Sequence, residues 1–88
     1  MKEKRSKKIM DQLIAEAYSG NLHSEKVLYI KEAIKLRALG FSVERMFSTE
    51  FDHPKRNSFL YKISWNNVSD ESSLAQSLYF IATESIAN

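Results

Sequence analysis

The chain has 88 residues, 43% hydrophobic and 27% charged, the make-up of an ordinary globular chain forming a single domain, residues 1–88. It has no cysteine, which excludes disulfides and thiolate metal sites, and its two distant histidines, His23 and His53, give no reason to expect a metal or any other cofactor. The net charge of +2 hides a split: residues 1–40 hold nine Lys or Arg against five Asp or Glu, and residues 41–88 hold four against six.

The chain opens on "MKEKRSKK", in which Lys2, Lys4, Arg5, Lys7 and Lys8 stand against Glu3. Residues 1–6 read as a basic arm that need not be ordered. Such an arm suits a phosphate backbone or any acidic surface, although lysine-rich termini are also commonly just solvated. It is not a signal peptide, because Asp11, Gln12 and Glu16 interrupt the apolar stretch that would have to follow. The spacing of Met10, Leu13, Ile14, Ala17 and Tyr18 predicts a first helix from Ser6 to Ser19, ended by Gly20 and Asn21.

A second, longer helix is predicted from an N-cap at Ser24, with Glu25 in its first turn and a stripe of Val27, Leu28, Ile30, Ala33, Ile34, Ala38 and Leu39. Lys26, Lys31, Lys35 and Arg37 fall largely off that stripe. Gly40 stands at the C′ position, with Phe41 able to fold back towards Leu36 in a Schellman motif. The short connection makes the two helices antiparallel neighbours. Residues 41–51 fit two periods. Read as a helix, Ser42 caps it and Val43, Met46, Phe47 and Phe51 share a face; read as a strand, Arg45 joins the apolar face. The helical reading, from Val43 to about Phe47, misplaces fewer residues.

"SFLYKISW", residues 58–65, alternates cleanly and predicts a strand. Its expected partner is "FSTEFD" across the turn "HPKRN", giving a hairpin with Pro54, Lys55 and Arg56 near the tip; the same strand of a second chain is the other candidate. "NNVSD" ends the strand, and its glycosylation-like "NVS" has no meaning without secretion. Ser69 caps a last helix, with Asp70 and Glu71 in its first turn and Leu74, Leu78, Ile81, Ala82 and Ile86 on its buried face. The expected fold class is therefore α+β and mostly helical: two antiparallel helices, a short helix-turn-helix-like helix, a β-hairpin and a C-terminal helix.

"LGFSVERM" has the parts of a helix-turn-helix: Gly40 for the turn, Phe41 buried in it, Ser42 as the next cap and Met46 facing inward. A hairpin after such a unit would be a wing. "YIKEAIKLRALGFSVERMF", Tyr29 to Phe47, resembles the stretch after the wing in MerR-type regulators, a long helix, then "LGFS", then a glutamate-containing helix. The DNA-reading helix and the wing arginine and tyrosine of that family have no counterpart here. The resemblance thus implies a helix-turn-helix shape and carries over no effector or metal.

These features point to a small regulatory protein that binds double-stranded DNA. Lys4, Arg5, Lys7, Lys8, Lys55 and Arg56 would contact phosphates, and Arg45, Ser48 and Thr49 would face the groove. Against that stand the carboxylates Glu44 and Glu50 on the proposed reading helix, and Leu36 where a small residue is expected. The alternative is a protein-interaction module, an adaptor or inhibitor without a nucleic-acid role. Leu60, on the strand face opposite its aromatic neighbours, and Tyr79 and Phe80, widening the last helix's apolar face, would form its interface. A chain of this size has little margin from its own core, so a homodimer or a protein partner is expected. Enzymatic activity is not: two glycines cannot make a phosphate loop, and neither histidine has an evident nucleophile beside it. Phe59 and Tyr61, with Lys62, could stack on single-stranded nucleic acid, but are more simply a hairpin's inner face. No apolar run approaches the roughly 18 residues of a membrane span. The expected location is cytoplasmic, with no membrane contact.

Overall fold

The two glycines end helices as their positions require. The computed structural model describes residues 2–66 and 72–87. Helix α1 (Lys2–Tyr18) stops at Gly20, whose φ is +87°; its N–H donates to the Ala17 carbonyl (2.9 Å), and the Asn21 N–H to that of Glu16 (3.0 Å). Helix α2 (Ile30–Ala38) stops the same way at Gly40, φ +98°, with Gly40 N–H to Arg37 carbonyl and Phe41 N–H to Leu36 carbonyl. This paired pattern is the Schellman motif expected at that site. α1 begins at Lys2, so residues 2–6 are its first turns.

The segment before α2 corrects the sequence reading. Residues His23–Tyr29 form strand β1, not the first turns of a long helix. Ser24 is buried opposite Ile63 and caps nothing, and Leu28 lies opposite Phe59. The helix starts only after Tyr29, where the Glu32 carboxylate accepts the Tyr29 N–H (2.8 Å). Ile30 and Ile34, which the helical stripe would have buried, are exposed. The expected pair of antiparallel helices is thus replaced by a helix, a strand and a shorter helix.

The second correction lies beyond Gly40. Ser42–Arg45 is strand β2, not a short helix, so no second helix follows the turn and the helix-turn-helix is not formed. The physical reason is β3 (Ser58–Ser64), the strand whose alternation was plain. Its backbone groups need partners on both sides. It takes β1 on one side and β2 on the other, both antiparallel, giving the order β1-β3-β2. The segment "FSTEFD" is therefore not its main partner. It contributes Asp52, whose Oδ1 accepts the Leu60 N–H (2.9 Å), and a single bridge joins His53 to Ser58. "HPKRN" does turn, as a 3-10 turn (Pro54–Arg56) closed by Asn57 at φ +53°.

Helix α3 (Leu74–Ala87) is capped by Ser73, whose Oγ accepts the Gln76 N–H (3.1 Å). Ser69, Asp70 and Glu71, expected as its cap and first turn, lie outside the described residues, as does the side chain of Ile86. The result is an α+β fold in two layers. One sheet face (Leu28, Val43, Phe59, Tyr61, Ile63) packs with Ile9, Leu13 and Ala17 of α1, Ala33 and Leu36 of α2, and Ala75, Leu78 and Ala82 of α3. Phe59 and Tyr61 are thus core, not a stacking platform. Trp65 is fully buried, edge-on to Phe41, with its Nε1–H donating to the Asn21 carbonyl (3.0 Å). Among the described residues no helix covers the other sheet face, which leaves Glu25, Glu44 and Met46 exposed. Among the described residues no helix is long and apolar enough to cross a membrane.

Candidate nucleic-acid interface

Arg5 of the first helix and Arg56 of the 3-10 turn, far apart in sequence, meet around the start of α2. Arg5 makes the join. Its Nε donates to Glu32 Oε2 (2.7 Å), its second terminal nitrogen to the Val27 carbonyl (3.1 Å), and its guanidinium carbon lies 4.9 Å from the Tyr29 ring centre. Arg5 therefore fastens α1 to the β1–α2 junction and neutralises the one carboxylate there. A hollow of about 600 Å³ opens beside it, lined by Tyr29, Ile30, Lys31, Lys35 and Arg56 among others.

This hollow continues into two more. A second, of about 310 Å³ between α1 and α2, shares Lys35 and adds Lys7. A third, shallower one along α1, of about 460 Å³, shares Lys7 and adds Lys4 and Lys8, with Asp11 at its side. Cations thus run without a break from Lys4 and Lys8 through Lys7 and Lys35 to Lys31 and Arg56. Glu44 and Glu50 line none of the three hollows. Lys31 and Lys35 were not singled out from the sequence, yet the signal was there. They lie four apart, off the apolar stripe, and so share an outward face of α2.

The expected groove readers are placed elsewhere. Arg45 is held between two rings, its guanidinium carbon 3.7 Å from the Phe59 centre and 4.7 Å from that of Phe47, and it pairs with Asp52 at 3.6 Å. Ser48 accepts the Phe51 N–H through its Oγ (3.2 Å). Thr49 is exposed in the loop between β2 and the 3-10 turn, and Lys55 is exposed on that turn outside the hollows. These four do not converge with Lys4, Lys7, Lys8 and Arg56.

The residues expected at a protein interface are also separated. Leu60 is half-buried on the open sheet face between Val27 of β1 and Met46, whose N–H donates to the Leu60 carbonyl (2.9 Å). Tyr79 packs partly against the core from α3 and meets Phe80 edge-on, and Phe80 is 53% exposed. Among the described residues no cluster of His, Cys, Asp and Glu has the make-up of a metal site. Comparison with protein-family models, with curated proteins and with solved structures finds no significant match to this chain.

Proposed function

We propose that the chain is a small regulatory protein that binds DNA and grips its phosphates along the belt formed by α1, α2 and the 3-10 turn. The observation that carries this reading is the continuity of Lys4, Lys7, Lys8, Lys35, Lys31 and Arg56 through hollows that share lining residues. A surface on which cations well outnumber carboxylates is the electrostatic footprint of phosphate binding. Two carboxylates line the same hollows: Glu32, which is already paired with Arg5, and Asp11 beside Lys7 and Lys8. The engagement of Arg45 and Ser48 within the fold argues for binding directed at the backbone more than at base edges.

Fluorescence anisotropy with a random duplex at about 50 and 200 mM salt tests it, because a belt contacting several phosphates loses affinity steeply between those conditions. Absence of binding at the lower salt would remove the DNA reading. A second reading, as a protein-interaction module, draws on the open sheet face, where Val27 of β1, Leu60 of β3 and Met46, just past β2, form an apolar row. A partner on that face would leave the belt free, so substitution of Leu60 by Asp would abolish partner binding and spare DNA binding.

A further inference from the structure

The hollow at the start of α2 differs from the rest of the belt, since cations there share the wall with an aromatic ring. Tyr29 ends β1 and immediately precedes α2, and this junction leaves the residue 42% exposed. Ile30 beside it is 39% exposed. Lys31, Lys35 and Arg56 stand in the same wall, and none of the three has an ion-pair partner among the described residues, while Glu32 beside them is paired with Arg5. The Arg5 guanidinium over the Tyr29 ring holds that ring in place at the mouth of the hollow.

An aromatic face next to unpaired cations, in a hollow of about 600 Å³, has the size and chemistry for a base and its phosphate together. A duplex cannot use it fully, because its bases are stacked inside and offer only phosphates to the surface. We infer that this hollow takes one unpaired nucleotide, with the base against Tyr29 and Ile30 and the phosphate among Lys31, Lys35 and Arg56. The inference rests on the belt being a phosphate-binding surface and names what its α2 end selects. Nucleic acid with a single-stranded segment is then preferred over fully paired duplex.

The test compares the full chain's affinity for an oligothymidylate, for an abasic strand of equal length, and for a duplex. The strand with bases should bind about tenfold more tightly than the abasic one, the gain expected of a single stacked base. Tyr29→Leu should lower the thymidylate affinity to the abasic level, while Tyr29→Phe, which keeps the ring, should retain the preference. Equal affinity for the two strands, or a preference that survives Tyr29→Leu, overturns the inference and leaves the phosphate belt standing. Binding to none of the three overturns both. Circular dichroism of Tyr29→Leu separates loss of the ring from loss of the fold.

Discussion

The two sides of the sheet carry opposite characters. On the helix side, α1, α2 and the 3-10 turn expose a run of lysines with Arg56. On the open side, the cross-strand row Glu25–Lys62–Glu44 is net acidic and lies next to the apolar row Val27–Leu60–Met46. The charge split seen along the chain corresponds in part to a split in space. The helices of residues 1–40 supply five of the six cations, Arg56 the sixth, while Glu44, which in a helix-turn-helix would have faced DNA, is turned to the far side by the strand that replaced the helix. One of the two carboxylates that weigh against the expected reading helix, Glu44, thus lies away from the proposed phosphate belt.

The largest expected effect comes from reversing charge on one side at a time. Lys31→Glu with Lys35→Glu should weaken duplex binding about a hundredfold at moderate salt and flatten the salt slope by about two. Glu25→Lys with Glu44→Lys, an equal change of opposite sign on the open face, should alter affinity by less than about threefold. Anisotropy titrations of both double variants measure this. Comparable responses from the two sides would mean that net charge, and not a belt, governs binding.

Gly40→Ala probes the joint between the layers. The φ of +98° is strained for any residue with a side chain, and a Cβ there would lie 2.5 Å from the Cβ of Ser73, the cap of α3. Destabilisation of about 2–3 kcal/mol is expected, a fall in melting temperature of about 10–20 °C for a domain of this size. Duplex affinity below the transition should stay near wild type, since the nearest atoms a Cβ at Gly40 would meet belong to Ser73 and Ala75 and not to the belt's cations. A drop in affinity without a drop in stability would contradict the separation of the two roles.

How much of this was legible follows from the range of each signal. The glycine stops, the Schellman motif at Gly40, the alternation of β3 and part of the core face of α3, Leu78 and Ala82 though not Ala75, are set by neighbours in sequence and could be read there. β1 and β2 could not, because their state is decided by a distant strand. Ser24 and the stripe after it satisfy a helix locally, but burial of Leu28 against Phe59 and of Ser24 against Ile63 outweighs that preference. The candidate site shows the same division. Lys4, Lys7, Lys8 and Arg56 could be named from charge alone, but their meeting with Lys31, Lys35 and Tyr29 depends on where α2 begins.

Arg45 illustrates the error that follows. On a helix it would reach outward; on β2 it lies on the core side, between Phe47 and Phe59. Arg45→Ala should therefore cost about 1–2 kcal/mol of stability through lost ring and Asp52 contacts. It should leave duplex affinity within roughly twofold of wild type, and chemical denaturation beside anisotropy reads both. A variant of full stability and weakened binding would return Arg45 to the interface.

The smallest effect concerns the sheet edges, where the helix side reaches around to the open one. Both outer strands have an outward carbonyl closed by an arginine from a helix: Val27 by Arg5 (3.1 Å) and Val43 by Arg37 (2.9 Å). Unpaired edge groups are templates for strand addition, and a long charged side chain laid across them blocks it. Arg37→Ala removes one such bond, worth about 1 kcal/mol or less at a partly exposed site, and uncovers the β2 edge beside the apolar row. Sedimentation velocity over a range of concentrations should then show more self-association than wild type, suppressed again by Arg37→Lys if charge at the edge suffices. If Arg37→Ala sediments as wild type does, the edge is protected by the shortness of β2 alone, four residues from Ser42 to Arg45. The arginine would then serve the end of α2 and not the strand.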